Sequence, residues 1–327
     1  MGGGKKFGVL LCAEDSDYIK KRYGGYFGVF VEMLAEEGET WDVFRVANGE
    51  FPDDDEIAEF DGFVITGSCN DAHGNDVWIC RMKLWALRIL VDYYHDRENS
   101  VFNALFVTFE CCVHVERACL LFKILFWLNP KFYPTLVSLL KGKSRPRKKN
   151  PPLSVAAQLV DVTYDWTVPK PYSFPFALSV VCLLDQILSR ALGGKTGRAV
   201  SGWDIGVTTI HLSSSLSKFF SSLEIPTTLP IIECHRDEVR ELPPKAEVLA
   251  WSEKTGIEMF KYGNHMMGIQ GHPEYTQDIL FHLIDRLTQR GYIEDWYGDE
   301  LKAKLEEVEP DKDAWKNLCT SFLKDRL

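Results

Sequence analysis

The chain has 327 residues, 46% of them hydrophobic and 26% charged, with 37 basic against 47 acidic side chains for a net charge of −10. That is an ordinary globular composition, which excludes collagen-like repeats, a coiled coil and wholesale disorder, and the acidic balance opposes a nucleic-acid footprint spread over the surface. Nine cysteines, an odd and scattered set, read as reduced thiols of a cytosolic protein and not as a disulfide framework.

The N-terminal Met1-Gly2-Gly3-Gly4-Lys5-Lys6 has none of the pattern of a signal peptide. The longest uncharged stretch, Pro171 to Leu184, is fourteen residues and broken by prolines, against roughly 20 for a membrane-spanning helix. No membrane partner is expected. In chain order, FGVLLC (7–12), WDVFRV (41–46) and FDGFVITGS (60–68) are short β-branched and aromatic runs ending in turn chemistry. Helical patterns cover 26–37 and 76–92. A short helix over Gln186–Leu192 stops at Gly193-Gly194. Strands are then expected at 206–212, 230–235, 247–252, 257–261 and 266–271, a helix at 275–290, and two more near the C-terminus. Alternating strands and helices imply a largely parallel, doubly wound sheet, and the later consecutive strands an antiparallel portion.

One segment breaks the pattern. Residues 101–184 hold ten Lys or Arg and four acids, so they carry +6 and the other 243 residues −16. The segment opens on VFNALFVTFECCVHVERACLLFKILFWLNP, which has no consistent helical or alternating period. KGKSRPRKKNPP follows, a basic, Pro-containing stretch that reads as a solvated linker. An insertion at 101–184 within a domain spanning 5–327 is therefore expected, poorly ordered and packed with few buried contacts. Such a composition fits translated non-coding sequence, as a retained intron or shifted exon boundary would give, or a lineage-specific insertion. Cys111-Cys112-x-His114-x₄-Cys119 lacks a paired C-x₂-C knuckle and reads as incidental thiols, so no metal is expected.

The sharpest motif is Gly268-Ile269-Gln270-Gly271-His272-Pro273-Glu274. It presents an imidazole and a carboxylate two positions apart just after a strand, and Glu274 could fix the tautomer of His272 as a third triad member does. The plainer alternative is a strand-to-helix turn in which Glu274 caps the next helix. Taken together, RYGGYFGVF (22–30), FDGFVITGS (60–68), QILSRALGGKTGRA (186–199), CHRDEV (234–239) and IQGHPEY (269–275) resemble a class I glutamine amidotransferase domain, more narrowly its plant γ-glutamyl peptidase branch. The resemblance implies a flavodoxin-like α/β fold and a Cys-His-Glu triad that hydrolyses γ-glutamyl amide bonds of glutathione or its conjugates. It implies a small-molecule substrate and no cofactor. His272 and Glu274 match the base and its orienting carboxylate. Gly67 and Ser68 match the loop that donates a backbone N–H to the oxyanion. His235 and Asp237 match a substrate-side segment, with a capping Asp beside a satisfied His as the alternative.

The nucleophile is the point of departure. The family places its Cys in G-x-C-x-G-x-Q, a tight strand-to-helix elbow, and counting back from Gln186 puts Cys182 at that place. Leu183 would then supply the second oxyanion N–H. Here, however, the segment reads Val180-Val181-Cys182-Leu183-Leu184-Asp185-Gln186, without either elbow glycine. Leu184 would crowd the oxyanion hole, and a charged Asp185 would oppose the thiolate. Cys182 as a plain buried strand thiol is the alternative. The sequence therefore leads us to expect a very weak γ-glutamyl hydrolase, or a fold kept only for binding. A glutaminase subunit that passes ammonia to a partner is the other possibility.

Overall fold

The computed structural model describes residues 4–69, 73–74, 76–95, 179–182, 185–305 and 309–326. These residues belong to one packed unit. Its parallel half is built from β1 (Lys6–Leu10), β2 (Thr40–Phe44), β3 (Gly62–Ile65), β4 (Ser179–Cys182) and β11 (Met266–Ile269). Its antiparallel half adds β6 (Asp204–Leu212), β7 (Thr228–His235), β9 (Ala246–Ser252) and β10 (Gly256–Tyr262). Together they form one nine-stranded sheet in the order β2-β1-β3-β4-β11-β10-β9-β6-β7. The pairs from β2 through β11 are parallel, and those from β11 to β7 antiparallel. This is the doubly wound arrangement with an antiparallel extension that the alternating signals predicted, in the flavodoxin-like form that the resemblance implied.

The inner strands β1, beyond Lys6, and β3 carry apolar runs because both of their faces are covered, whereas the edge strand β2 (TWDVF) is only partly buried. Phe7, Val9, Leu10, Phe63, Val64 and Ile65 are buried. Helices α1 (Asp17–Tyr23), α2 (Tyr26–Leu34), α4 (Val77–His95) and α5 (Asp185–Ala191) belong to this half, together with the one-turn α3 (Asp54–Ile57). Helices α6 (Ser214–Phe219), α7 (Gln277–Gln289), α8 (Asp295–Leu305) and α9 (Lys312–Leu323) complete the fold. Their starts follow local chemistry: Ser16, Ser213, Thr276 and Asp311 each accept a backbone N–H of the first turn. Helix α1 and the antiparallel ribbon of β5 (Lys195–Arg198) with β8 (Asp237–Glu241) were not expected from sequence. Both are short and largely polar, and cross-strand pairing, not an apolar face, holds the ribbon.

The insertion boundary needs correction. Ser179–Cys182, placed by composition at the end of the basic insertion, is β4 at the middle of the parallel half, between β3 and β11. Its SVVC run continues the Pro-broken apolar stretch just before it, so composition does not mark where the strand begins. The chain then enters α5 at Asp185, so the strand-to-helix connection of an elbow is kept. Residues 101–178, and with them the expected loose packing, lie outside the described residues. Among the described residues, no helix is long and apolar enough to cross a membrane.

Candidate active site

His272 follows β11 by three residues, and its backbone N–H donates to the carbonyl of Ile232 on β7 at 2.7 Å. This bond ties the turn to the antiparallel half. Nδ1 of His272 lies 2.9 Å from Oε1 of Glu274, and both residues are buried. With Glu274 accepting from Nδ1–H, Nε2 is left to take or give a proton. The reading of Glu274 as a helix cap does not hold, because the cap of α7 is Thr276. The imidazole is clamped further by Tyr275, whose ring stacks on it at 4.0 Å between centroids and 6° between planes.

Gly67 closes the other side of the ring. A Cβ at Gly67 would sit 2.6 Å from Cε1 of His272, so only glycine lets the loop after β3 lie against the imidazole. That loop is fastened to the end of β1. The Cys12 N–H donates to Thr66 Oγ1 at 3.0 Å, and Ser68 Oγ donates to the Cys12 carbonyl at 2.8 Å. Ser68 thus holds the loop through its hydroxyl. The RYGGY segment lies behind the turn: Gly24 and Gly25 take positive φ between α1 and α2, and the ring of Tyr26 packs on Tyr275. Tyr23 bonds Thr276 and Asp278. Its twin glycines make the turn, and its tyrosines brace the residues that follow His272.

The sheet register places Cys182 between these two loops. Cys182 is the last residue of β4, paired with Ile65 on one side and Gly268 on the other. It therefore stands at the carboxyl end of a central parallel strand, where sites form in open α/β sheets. Leu183 and Leu184 lie outside the described residues. The profile of the family described as "Glutamine amidotransferase class-I" matches residues 178–280, a span that includes Cys182, Gln186, His272 and Glu274. Over nearly the whole chain, the sequence is 37% identical to gamma-glutamyl peptidase 5 of Arabidopsis thaliana, covering 98% of this chain and 96% of the relative. This chain belongs to the class I glutamine amidotransferase-like family, in its γ-glutamyl peptidase branch.

Gamma-glutamyl peptidase 3 of the same plant is 33% identical, with 98% and 97% of the two chains covered. A solved glutamine amidotransferase from Thermotoga maritima is similar with a TM-score of 0.53 at 16% identity, over 98% of this chain and 97% of that one. That likeness shows the fold. Against the family's G-x-C-x-G-x-Q, the chain keeps the strand end, the Cys and the Gln, and lacks the glycines.

The remaining candidates converge on one carbonyl. Gln186 Nε2 donates to the backbone oxygen of Asp237 at 3.3 Å, and His235 Nδ1 donates to the same oxygen at 3.0 Å. The Asp237 carboxylate points instead to His73 Nε2 at 3.6 Å and Arg198 Nε at 3.4 Å. Burial works against its charge, but His73 and Arg198 hold it below the usual carboxylate range. Asp185 behaves differently from its sequence reading. It is fully buried, and burial pushes its carboxyl up to about 8, with the charge of Glu258 adding and that of His235 opposing. At neutral pH it is mostly uncharged and does not repel a thiolate as a formal charge would. Three thiols elsewhere are shifted upward: desolvation, then the charge of Glu233, lifts the partly buried Cys234 to about 12, and burial raises Cys12 and Cys319 strongly. The stacking of Tyr275 was missed at the sequence level, although the residue stands in the IQGHPEY motif.

Proposed function

We propose that this chain is a γ-glutamyl peptidase that acts through Cys182, His272 and Glu274. The observation that carries the reading is the Glu274–His272 pair, seated against Gly67 and flanking the strand end that carries Cys182. In this reading Cys182 gives its proton to Nε2 of His272, and the thiolate attacks the γ-glutamyl carbonyl. Backbone N–H groups of Gly67 and Leu183 hold the oxyanion. The tetrahedral adduct collapses to a γ-glutamyl thioester, and His272 returns the proton to the departing amine. Water, deprotonated by His272, then cleaves the thioester and releases glutamate. Glu274 stabilises the imidazolium in both halves of the cycle.

The substrate class is a small γ-glutamyl peptide, glutathione or a conjugate of it, met in the cytosol. The relatives that match over the full length are named as peptidases, which favours this reading over a subunit that hands ammonia to a partner. Turnover is slow, because Leu184 stands where the family's elbow has glycine and one lost oxyanion donor costs on the order of 10²–10³ in rate. The test is release of glutamate from glutathione beside release from glutamine. Faster release from glutathione is expected, raised by Leu184→Gly and lost on Cys182→Ala and on His272→Ala. Absence of release from both the natural chain and Leu184→Gly would overturn the proposal.

A further inference from the structure

Behind the site lies a second group of ionisable side chains that the proposed reaction does not use. Glu233 and His235 stand two apart on β7, hence on one face of the strand, and both are buried. Glu258 reaches them from β10 by way of a β-bulge. Ile257 pairs with Trp251 and Met259 with Ala250, so Glu258 is the extra residue of the strand. Bulges re-aim side chains, and the Glu258 side chain is buried here at 1% exposure. One nitrogen of His235 and one oxygen from each glutamate all lie within 4.8 Å of one another.

The polar atoms of this group are poorly satisfied. Glu258 Oε1 accepts from Ser252 Oγ, while Oε2 has no hydrogen-bond partner. Neither oxygen of Glu233 has a hydrogen-bond partner either. With Nδ1–H of His235 committed to the Asp237 carbonyl, its Nε2 lone pair faces Glu233 Oε2 at 3.2 Å. Two lone-pair atoms at that distance repel unless a positive charge lies between them. A single shared proton would relieve this contact but leave Glu258 Oε2 and Glu233 Oε1 without partners. A dication answers all of them, and two carboxylates with one neutral imidazole balance its charge. A backbone carbonyl holding the far ring nitrogen is the usual arrangement behind a metal-bound histidine.

We propose that Glu233, His235 and Glu258 form a binding site for a divalent first-row metal ion, of the zinc or manganese class that a mixed N/O donor set suits. Ligand atoms about 2.0–2.2 Å from an ion are roughly 3.5 Å apart, so binding draws the three side chains inward from their present spacing. The site also touches the catalytic turn: a Cβ at Gly271 would lie 2.5 Å from Glu233 Oε1. The ion would therefore brace the backbone that carries His272. No spacing in the sequence announced this set, because the bulge that supplies Glu258 is a tertiary feature.

The test is titration of the full chain, stripped with a chelator that is then dialysed away, with Zn²⁺ and separately with Mn²⁺. Calorimetry and melting temperature are the readouts. One equivalent bound, with a rise in melting temperature, is expected. Glu258→Gln, which keeps the side-chain volume and the Ser252 contact, should weaken binding at least about 100-fold, since even residues behind a ligand cost 10–100-fold. Glu233→Gln gives the same reading from the other strand and serves if the first variant does not fold. Failure of both ions to bind, or binding that both substitutions leave unchanged, overturns the proposal. The latter result would place the ion on the thiols instead. Co²⁺ in place of Zn²⁺ should give d–d absorption of a nitrogen–oxygen site, and a thiolate charge-transfer band would likewise overturn it.

Discussion

The two halves of the sheet handle polar groups in opposite ways. In the parallel half, β3 is apolar along its length and β1 beyond Lys6, and the residues of the proposed reaction stand at strand ends, in Thr66-Gly67-Ser68 after β3 and at Cys182 of β4. In the antiparallel half, ionisable side chains stand on the strands themselves: Asp204 on β6, Glu233 and His235 on β7, Glu258 and Lys261 on β10, all buried. In the proposed reaction the first arrangement offers backbone N–H groups and loop residues to a substrate from strands that bury no carboxylate. The second places carboxylates in the interior, where desolvation raises the pKa values of Glu233 and Glu258 and a partner is required. His272 joins the two, with its ring against Gly67 of the parallel half and its N–H on Ile232 of the antiparallel half.

The contrast breaks most severely at Glu274, the buried carboxylate that serves the strand-end chemistry. Glu274→Gln should lower kcat on a γ-glutamyl peptide on the order of 10⁴-fold, the loss seen when an orienting carboxylate becomes an amide, with the melting temperature little changed. A loss below about tenfold would remove Glu274 from the site. Next comes the C-terminal helix, which fastens both halves. Trp315 Nε1 donates to the Pro230 carbonyl of β7 at 2.8 Å. Just after the helix, the fully buried Lys324 side chain bonds the Leu34 carbonyl and Glu39 near β2. Lys324→Ala removes the ammonium from the mostly buried Glu39 carboxylate, which keeps only the Glu36 N–H and Trp41 Nε1, and should cost about 3 kcal/mol of unfolding free energy in urea. A cost within 0.5 kcal/mol, roughly that of an ordinary surface change, would show that the anchor is not needed.

Gly67→Ala sharpens the comparison at the junction itself. The new methyl must displace the imidazole, and a displacement of about 1 Å should cost on the order of 10² in kcat/KM. The Tyr275–His272 stack should loosen as well, visible as a shift of the His272 ring resonances. Unchanged kinetics would mean that the loop after β3 yields instead. The smallest effect is expected at the rim. Glu36 is held at about 2 by its hydrogen bond to Arg326, with Lys324 adding and slight burial opposing. A lowered folded-state pKa contributes stability that is full above the unfolded value of 4.5 and is lost as pH falls toward about 2. The Glu36 side chain is 38% exposed, so water screens the pair, and Glu36→Gln should cost at most about 1 kcal/mol at pH 7. That difference should shrink toward zero at pH 2, and one that persists there would assign it to packing.

Much of the architecture was legible because local chemistry and tertiary packing agree. The apolar runs at 7–12 and 60–68 became β1 and β3, and Gly193-Gly194 follows the end of α5 as helix-stop chemistry requires. His272 and Glu274 were legible because they stand two residues apart on one turn, where the spacing alone brings imidazole and carboxylate into reach. Gly67 was marked by resemblance, and its physical reason, contact with a ring two hundred residues away, came only from the structure. Composition misled at 179–182, since SVVC carries no alternation that separates it from the apolar stretch before it.

The sequence by itself determined the strands of the nine-stranded sheet other than β4, the order of the site motifs, the His272–Glu274 pair and the place of Cys182 by count. Tertiary structure alone decided that Cys182 ends a central strand between Gly67 and His272. It decided too that Asp185 is neutralised by burial, and that a bulge turns Glu258 toward Glu233 and His235. The physical reason is range. Turn chemistry, hydrophobic period and near-neighbour pairs are properties of a few consecutive residues, whereas burial, and the charge state that burial imposes, depends on which distant strands close over a side chain.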